Sequence, residues 1–257
     1  MPEFSVPVNR LKADLLARRR KLTGLWLALG SEPATEICAD AGFDFVCVDG
    51  EHAPLDQDLV RRQLAAAELG STSIVARPPV NEAWVIKQML DSGAQTLIIP
   101  MVDTPEQAEA AVAACLYPPQ GIRGAAGAVR AARYGRIRDY LTAANPEICI
   151  IPQVETALAV ENIEAICAVP GVDAIFIGPS DLSASMGFTG RSTAPEVEEV
   201  IQSAIARIHA CGKPVSTLSF DATVAKRYMD YGADMVAVGS DSTLLMRAAA
   251  DLRRSFD

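Results

Sequence analysis

The chain has 257 residues, half of them apolar and only 5% aromatic, with a net charge of −9. This length suits one α/β barrel, or two small domains, whose core alanine, valine, leucine and isoleucine must build. The acidic balance argues against nucleic acid, which needs clustered lysine and arginine.

In chain order, the one basic run, Arg18-Arg19-Arg20-Lys21, reads as the solvated end of an N-terminal helix. Eight short apolar runs follow: Gly24–Leu29, Phe43–Val48, Thr72–Arg77, Thr96–Pro100, Ile148–Val154, Asp173–Ile177, Lys213–Leu218 and Met235–Val238. Continuous apolarity predicts strands covered on both faces, as in parallel sheets. Amphipathic segments near 32–41, 56–69, 82–92, 104–116, 157–168, 195–211, 221–231 and 241–254 predict the intervening helices. Gly42, Gly70, Gly93, Gly212 and Gly232 stand where helix stops are expected, and Asn81, Thr104 and Asp221 are plausible N-caps. Eight β/α repeats predict a closed (β/α)8 TIM barrel spanning residues 1–257 as a single domain. The alternative, a doubly wound sheet, usually carries a glycine-rich fingerprint after its first strand, and Gly30-Ser31-Glu32-Pro33 is not one. An extra segment, 117–147, joins the fourth helix of the repeat to the fifth strand, with a helix expected at 136–144. It either covers a site or contacts a neighbour, or it is a packed surface excursion.

The six cysteines, Cys38, Cys47, Cys115, Cys149, Cys167 and Cys211, are scattered without a C-x-x-C pair. They read as buried free thiols of a reducing compartment and not as a zinc site. No signal-peptide core precedes Lys21, and no run approaches the roughly 20 apolar residues of a membrane helix. A cytoplasmic protein is expected.

Barrel chemistry sits at the C-terminal ends of strands, and polar residues gather there. The second run ends in Asp49-Gly50-Glu51-His52, the third in Arg77, the fifth in Gln153-Val154-Glu155-Thr156 and the sixth in Gly178-Pro179-Ser180-Asp181. Of the two histidines, His52 follows a strand end, whereas His209 lies near a helix C-terminus, where a polar residue is ordinary. Glu155 and Asp181 end neighbouring strands and suit a hard divalent cation with open positions; the alternative is carboxylates satisfied by helix N-termini. Gln153 and Glu155, two apart on a strand, point the same way. Arg77, ending an apolar strand, needs an anion: a site carboxylate, a substrate oxygen or an enolate, or else a structural ion pair with Asp49 or Glu51. Backbone N–H groups at Gly178–Asp181 could hold a carboxylate.

Seven stretches together resemble one family: G-L-W-L-A-L-G near 24–30, A-G-F-D-F-V-C-V-D-G-E-H-A-P at 41–54, I-K-Q-M-L-D-S-G-A-Q-T-L-I-I-P-M-V at 86–102, Y-P-P-Q-G-I-R-G at 117–124, Q-V-E-T at 153–156, G-P-S-D-L-S-A-S-M-G at 178–187 and A-V-G-S-D-S-T-L-L at 237–245. The chain is similar to the metal-dependent class II pyruvate aldolases of the HpcH/HpaI type. The resemblance implies a divalent metal (Mg2+, Mn2+ or Co2+) on Glu155 and Asp181, chelated by pyruvate or hydroxypyruvate, with an aldehyde as second substrate. It implies Gln153 beside the pyruvate, the backbone of Ser180 and Asp181 on its carboxylate, Arg77 on the enolate oxygen, and His52 in the base machinery through a metal-associated water, with Asp49 in support. Leu218 is expected on the aldehyde side, where Ser216, Thr217, Ser219, Phe220 and the stretch 125–134 depart from the family pattern. The family also pairs an aspartate at the Asp91 position with the active-site histidine. Asp91 ends a helix on the face opposite His52, so that pairing requires a second subunit. The family is typically a hexamer, a trimer of dimers that exchange their final helix.

The alternatives are an acyl-CoA lyase of the citrate lyase β-subunit type, which would need basic groups for CoA phosphates, and a non-catalytic barrel, which would have lost some of these polar positions. Lys87 and Lys213 stand away from the strand ends, so no lysine Schiff base is expected.

Overall fold

The computed structural model describes residues 4–54 and 56–256. Eight parallel strands close into a barrel in sequential order, β1 pairing with both β2 and β8. They are β1 (Leu22–Leu27), β2 (Phe45–Asp49), β3 (Ser73–Arg77), β4 (Thr96–Ile99), β5 (Cys149–Val154), β6 (Ile175–Ile177), β7 (Val215–Leu218) and β8 (Met235–Ser240). All eight expected strands are present, with ends shifted by a few residues.

The helices are α1 (Arg10–Ala17), α2 (Glu32–Ala39), α3 (Gln57–Ala67), α4 (Ala83–Asp91), α5 (Pro105–Cys115), α6 (Tyr140–Ala143), α7 (Ala157–Glu161), α8 (Ile163–Ala168), α9 (Pro179–Ser185), α10 (Pro195–Ala210), α11 (Ala222–Tyr231) and α12 (Asp241–Arg254). Thr104 and Asp221 cap α5 and α11 as expected, each accepting backbone N–H bonds of the first turn. Asn81 does not cap: Glu82 holds that position on α4, and the Asn81 amide donates instead to the Gln107 carbonyl at 3.1 Å. The helix expected over 157–168 is broken at Asn162 into α7 and α8; the Asn162 amide donates to the Asp103 carbonyl at 2.8 Å, tying the break to the loop after β4. The helix expected at 136–144 shrinks to α6, between short 3-10 turns at Arg130–Ala132 and Asn145–Glu147. Gly70 follows α3 but is not left-handed. A Cβ there would lie 2.8 Å from the Ala39 carbonyl oxygen, so glycine serves close approach of α2 rather than helix reversal. Five cysteines are buried as expected; Cys211 is exposed, because it caps α10 at the surface.

Side chains alternate between two cores. One series, with Leu25, Val46, Val48, Ala76, Leu97, Ile150, Ile175 and Val236, packs outward against the helices. The other, with Trp26, Phe45, Cys47, Val75, Ile98, Cys149, Ile151, Phe176, Met235 and Ala237, fills the barrel interior. Gly24 makes room for Phe45, whose ring would lie 2.5 Å from a Cβ at that position. Leu11 and Leu15 of α1 join this interior core and close the N-terminal end of the barrel. Asn9 fixes the plug, donating to Thr96 Oγ1 at 3.0 Å and to the Glu147 carbonyl at 2.9 Å. The segment 117–147 has its own small core of Tyr117, Ala132, Ile137, Tyr140 and Ala144. It connects α5 to β5 at the N-terminal face, so within the chain it does not cover the strand ends.

Candidate active site

The interior series continues upward into polar residues. Asp49 follows Cys47 by two positions, Arg77 follows Val75, and Gln153 follows Ile151. Period two therefore aims all three into the mouth of the barrel. All three are buried, as is Glu155, which is 1% exposed.

Arg77 is the hub. Its Nε and Nη2 donate to the two Asp49 oxygens at 2.9 and 2.8 Å, and Nη1 lies 2.8 Å from Glu51 Oε2. The Trp26 indole N–H donates to Asp49 Oδ2 at 2.9 Å, and the guanidinium lies 4.9 Å from the Trp26 ring centroid. Burial pushes the Asp49 carboxyl up, but the Arg77 bonds outweigh it and hold Asp49 below its ordinary range. The structural ion pair of Arg77 with Asp49 and Glu51, one of the partners its strand-end position allows, is thus present. It leaves Arg77 facing the mouth with its charge anchored.

Asp49 also shapes the loop beyond it, since Oδ1 accepts the N–H groups of Glu51 (3.0 Å) and His52 (3.4 Å). Gly50 is needed here: a Cβ would meet the Arg77 carbonyl oxygen at 2.7 Å. The His52 side chain is 63% exposed, with Nε2 3.9 Å from Glu51 Oε2.

Across the mouth, Glu155 Oε1 accepts the Met101 N–H at 2.8 Å, and Oε2 is bonded to the Gln153 amide. Met101 adopts a left-handed φ of 55° to offer that N–H, a strained conformation for a side chain with a Cβ. Both donors to Glu155 are neutral. Burial pushes its carboxyl up to about 7; the Gln153 and Met101 bonds oppose this, and the charges of Glu51 and Asp181 add to it. Gly178 fits against it, since a Cβ there would lie 2.9 Å from both Glu155 Cβ and Oε2. Ser180 and Asp181 stand exposed in the first turn of α9. Leu218 is partly buried against the interior core at the end of β7, with Phe220 beside it.

Among the described residues no group of three or more His, Cys, Asp or Glu forms a ready cation cage. The donor set is instead two carboxylates, Glu155 and Asp181, close enough that the charge of one raises the other. Such a pair fits a hard divalent ion whose remaining positions stay open to water and substrate.

Asp91 is not in this cluster. It ends α4 on the opposite face, where its Oδ1 takes Arg123 Nη2 at 2.7 Å. Arg123 is buried with its guanidinium 4.3 Å from the Tyr117 ring centroid and 6.0 Å from that of Tyr140. His209 is likewise an N-terminal-face residue, 2.9 Å from Asp234. A groove of about 930 Å3 opens on that face, lined among others by Gly93, Gln95, Arg130, Arg133 and Tyr134.

Sequence reasoning missed Trp26, Glu51 and Met101 as parts of the site. Trp26 was legible as the interior-facing aromatic of the first run. Glu51 stands inside the strand-end motif, where the sequence marks it only as an ion-pair partner for Arg77. The Met101 contribution is a backbone N–H and left no side-chain signal.

The HpcH/HpaI aldolase/citrate lyase family matches residues 22–248. The hydroxypyruvate/pyruvate aldolase of Deinococcus radiodurans is 50% identical over 97% of this chain and 91% of its own length. The 4-hydroxy-2-oxo-heptane-1,7-dioate aldolase of Salmonella dublin is 48% identical over 95% and 93%. A crystal structure of an HpcH/HpaI aldolase/citrate lyase family protein from Burkholderia cenocepacia superimposes with a TM-score of 0.94 at 40% identity, covering 97% of this chain and 99% of that one. With the barrel, the strand-end carboxylates and these relatives in agreement, the chain belongs to the HpcH/HpaI aldolase/citrate lyase family, as an aldolase.

Proposed function

We propose that the enzyme forms and cleaves 4-hydroxy-2-oxo acids, joining pyruvate or hydroxypyruvate to an aldehyde through an enolate, with a divalent cation (Mg2+, Mn2+ or Co2+) held by Glu155 and Asp181. The observation that carries this reading is Glu155, a buried carboxylate whose donors, the Met101 N–H and the Gln153 amide, are both neutral, an environment that a cation would balance. When bound, the cation supplies Lewis-acid withdrawal at the substrate keto group. The chain's own residues do the rest. Arg77, locked by Asp49 and Trp26, presents positive charge where the enolate oxygen develops, without reorganising. Gln153, whose Oε1 has no partner, faces the same space and would contact the pyruvate. The backbone at Ser180 and Asp181 takes the carboxylate, and Leu218 borders the aldehyde. His52, exposed at the rim, shuttles the C3 proton.

The relatives named as a hydroxypyruvate/pyruvate aldolase and a 4-hydroxy-2-oxo-heptane-1,7-dioate aldolase support the substrate class. Chelation followed by metal return tests it. Activity joining pyruvate or hydroxypyruvate to aldehydes is expected to vanish and recover; full activity after chelation would exclude the cation, and activity only on acyl-CoA thioesters would replace the aldol reading. Exchange of pyruvate C3 protons, followed by NMR, should fall about 100-fold or more in His52→Ala with the fold intact.

The same reading places Asp91 against His52 of a neighbouring copy, in a homo-oligomer built as a hexamer of helix-exchanging dimers. Two features support it. Only Asp241 is buried along α12, which leaves Leu244, Leu245, Met246 and Leu252 exposed. The N-terminal-face groove carries Arg10, Arg130, Arg133 and Arg136, complementary in charge to an acidic barrel mouth. No described helix is long and apolar enough to cross a membrane.

A further inference from the structure

We propose that Glu51 is a positioning residue that joins Arg77 and His52 into one unit, so that the group facing the enolate and the group moving the proton share one carboxylate within the chain, in addition to the Asp49 that holds Arg77 and the Asp91 that a neighbouring copy brings to His52. This rests on the function proposed above and adds a residue to it.

Three contacts carry the inference. Glu51 Oε2 lies 2.8 Å from Arg77 Nη1, the one Arg77 nitrogen that Asp49 does not hold. The same oxygen lies 3.9 Å from His52 Nε2 and is the carboxylate paired with that ring among the described residues of the chain. The Glu51 backbone N–H is fixed by Asp49 Oδ1 at 3.0 Å, and Gly50 packs the loop onto the β3 backbone. Glu51 therefore hangs from a rigid turn, whereas the His52 ring is mostly exposed and has little packing of its own. Its side chain is 17% exposed, at the boundary between the buried guanidinium and the solvent-facing imidazole. A carboxylate there does for an exposed histidine what packing does for a buried one: it restricts the ring to the side of the mouth where the substrate methyl group must sit. An ordinary surface pair is worth little, but here the Glu51 backbone N–H is held by Asp49 and its carboxylate lies against the buried Arg77 guanidinium, so the oxygen that His52 meets is restrained on the chain's side.

The test is a double-mutant cycle with a structural readout. In Glu51→Gln, metal-dependent C3 proton exchange of pyruvate is expected to slow about tenfold or more while KM stays within about threefold, and Glu51→Asp is expected to recover part of the rate. In a His52→Ala background, adding Glu51→Gln is expected to cost several-fold less than in the wild type, because only the contact with Arg77 is then left to lose. In metal-free protein with 13C-labelled histidine, the His52 ring resonances should move in Glu51→Gln while those of His209 stay. Wild-type exchange rates in Glu51→Gln, an equal loss in both backgrounds, or unmoved His52 resonances would each overturn the link. A wild-type enzyme without C3 exchange would overturn the proposed function and this link together; exchange in the wild type matched by Glu51→Gln overturns the link alone.

Discussion

Cys47 and Asp49, Val75 and Arg77, and Ile151 and Gln153 are neighbours on one strand face, and the change from apolar to polar within each pair marks where the core ends and the site begins. The candidate site is thus the top layer of the barrel's own packing. Glu155 is the sharpest case. In the unfolded chain it titrates near 4.5, and in the metal-free fold burial holds it near 7. Between those values the folded state keeps a proton that the unfolded state has lost, so stability falls as pH rises through that window and levels off above it. Glu155→Gln removes the penalty. The metal-free variant should be more stable than wild type by about 1–3 kcal/mol at pH 8, with the gap closing near pH 4.5, as urea melts at the two pH values would read. A variant no more stable at pH 8 would mean that the buried carboxylate is solvated after all. Gly178→Ala probes the same carboxylate sterically. A Cβ 2.9 Å from Glu155 Cβ must displace it, and affinity for Mn2+, read by calorimetry, should fall about tenfold or more.

At the scale of elements, helix order and strand order were legible from periodicity, and errors fell where a local signal met a tertiary competitor. Asn81 has the right residue type for an N-cap, yet the Gln107 carbonyl claims its amide. Residues 136–144 carry a helical pattern, but Ile137 and Tyr140 are drawn into the small core under Tyr117, and only one turn survives. The N-terminal helix α1 has a definite task that its composition did not announce, because a plug is defined only by the hole it fills. Leu15→Ala, at 1% exposure, should lower stability by about 2–4 kcal/mol in urea unfolding. C3 proton exchange per folded molecule should stay unchanged, since the plug lies at the far end from the site; a large loss of exchange would mean that the interior core transmits strain to Arg77.

For the whole molecule, the two faces of the barrel divide the work. The C-terminal face holds the carboxylates, Arg77 and His52; the N-terminal face holds Asp91, clamped by Arg123, and the basic groove. Subunit complementation tests whether they meet. His52→Ala and Asp91→Asn should each be poorly active alone, and mixing them with exchange of subunits should restore measurable activity, because some sites then receive one intact residue from each copy. Mixtures that stay as inactive as their parts would confine Asp91 to its Arg123 pair. Leu245→Asp with Leu252→Asp should reduce the assembled mass in light scattering if α12 docks on a second copy.

The sequence alone determined the barrel and which polar residues gather at the C-terminal ends of its strands, because strand periodicity and strand-end polarity are local properties written in adjacent positions. Only the tertiary structure decided how those residues are used: that Arg77 is held by Asp49 and Trp26, that Glu51 stands between Arg77 and His52, that Met101 bends its backbone to reach Glu155, and that Arg123 holds Asp91 on the far face. Each of these joins positions on different elements or depends on a backbone angle, and contacts of that kind exist only once the barrel has closed.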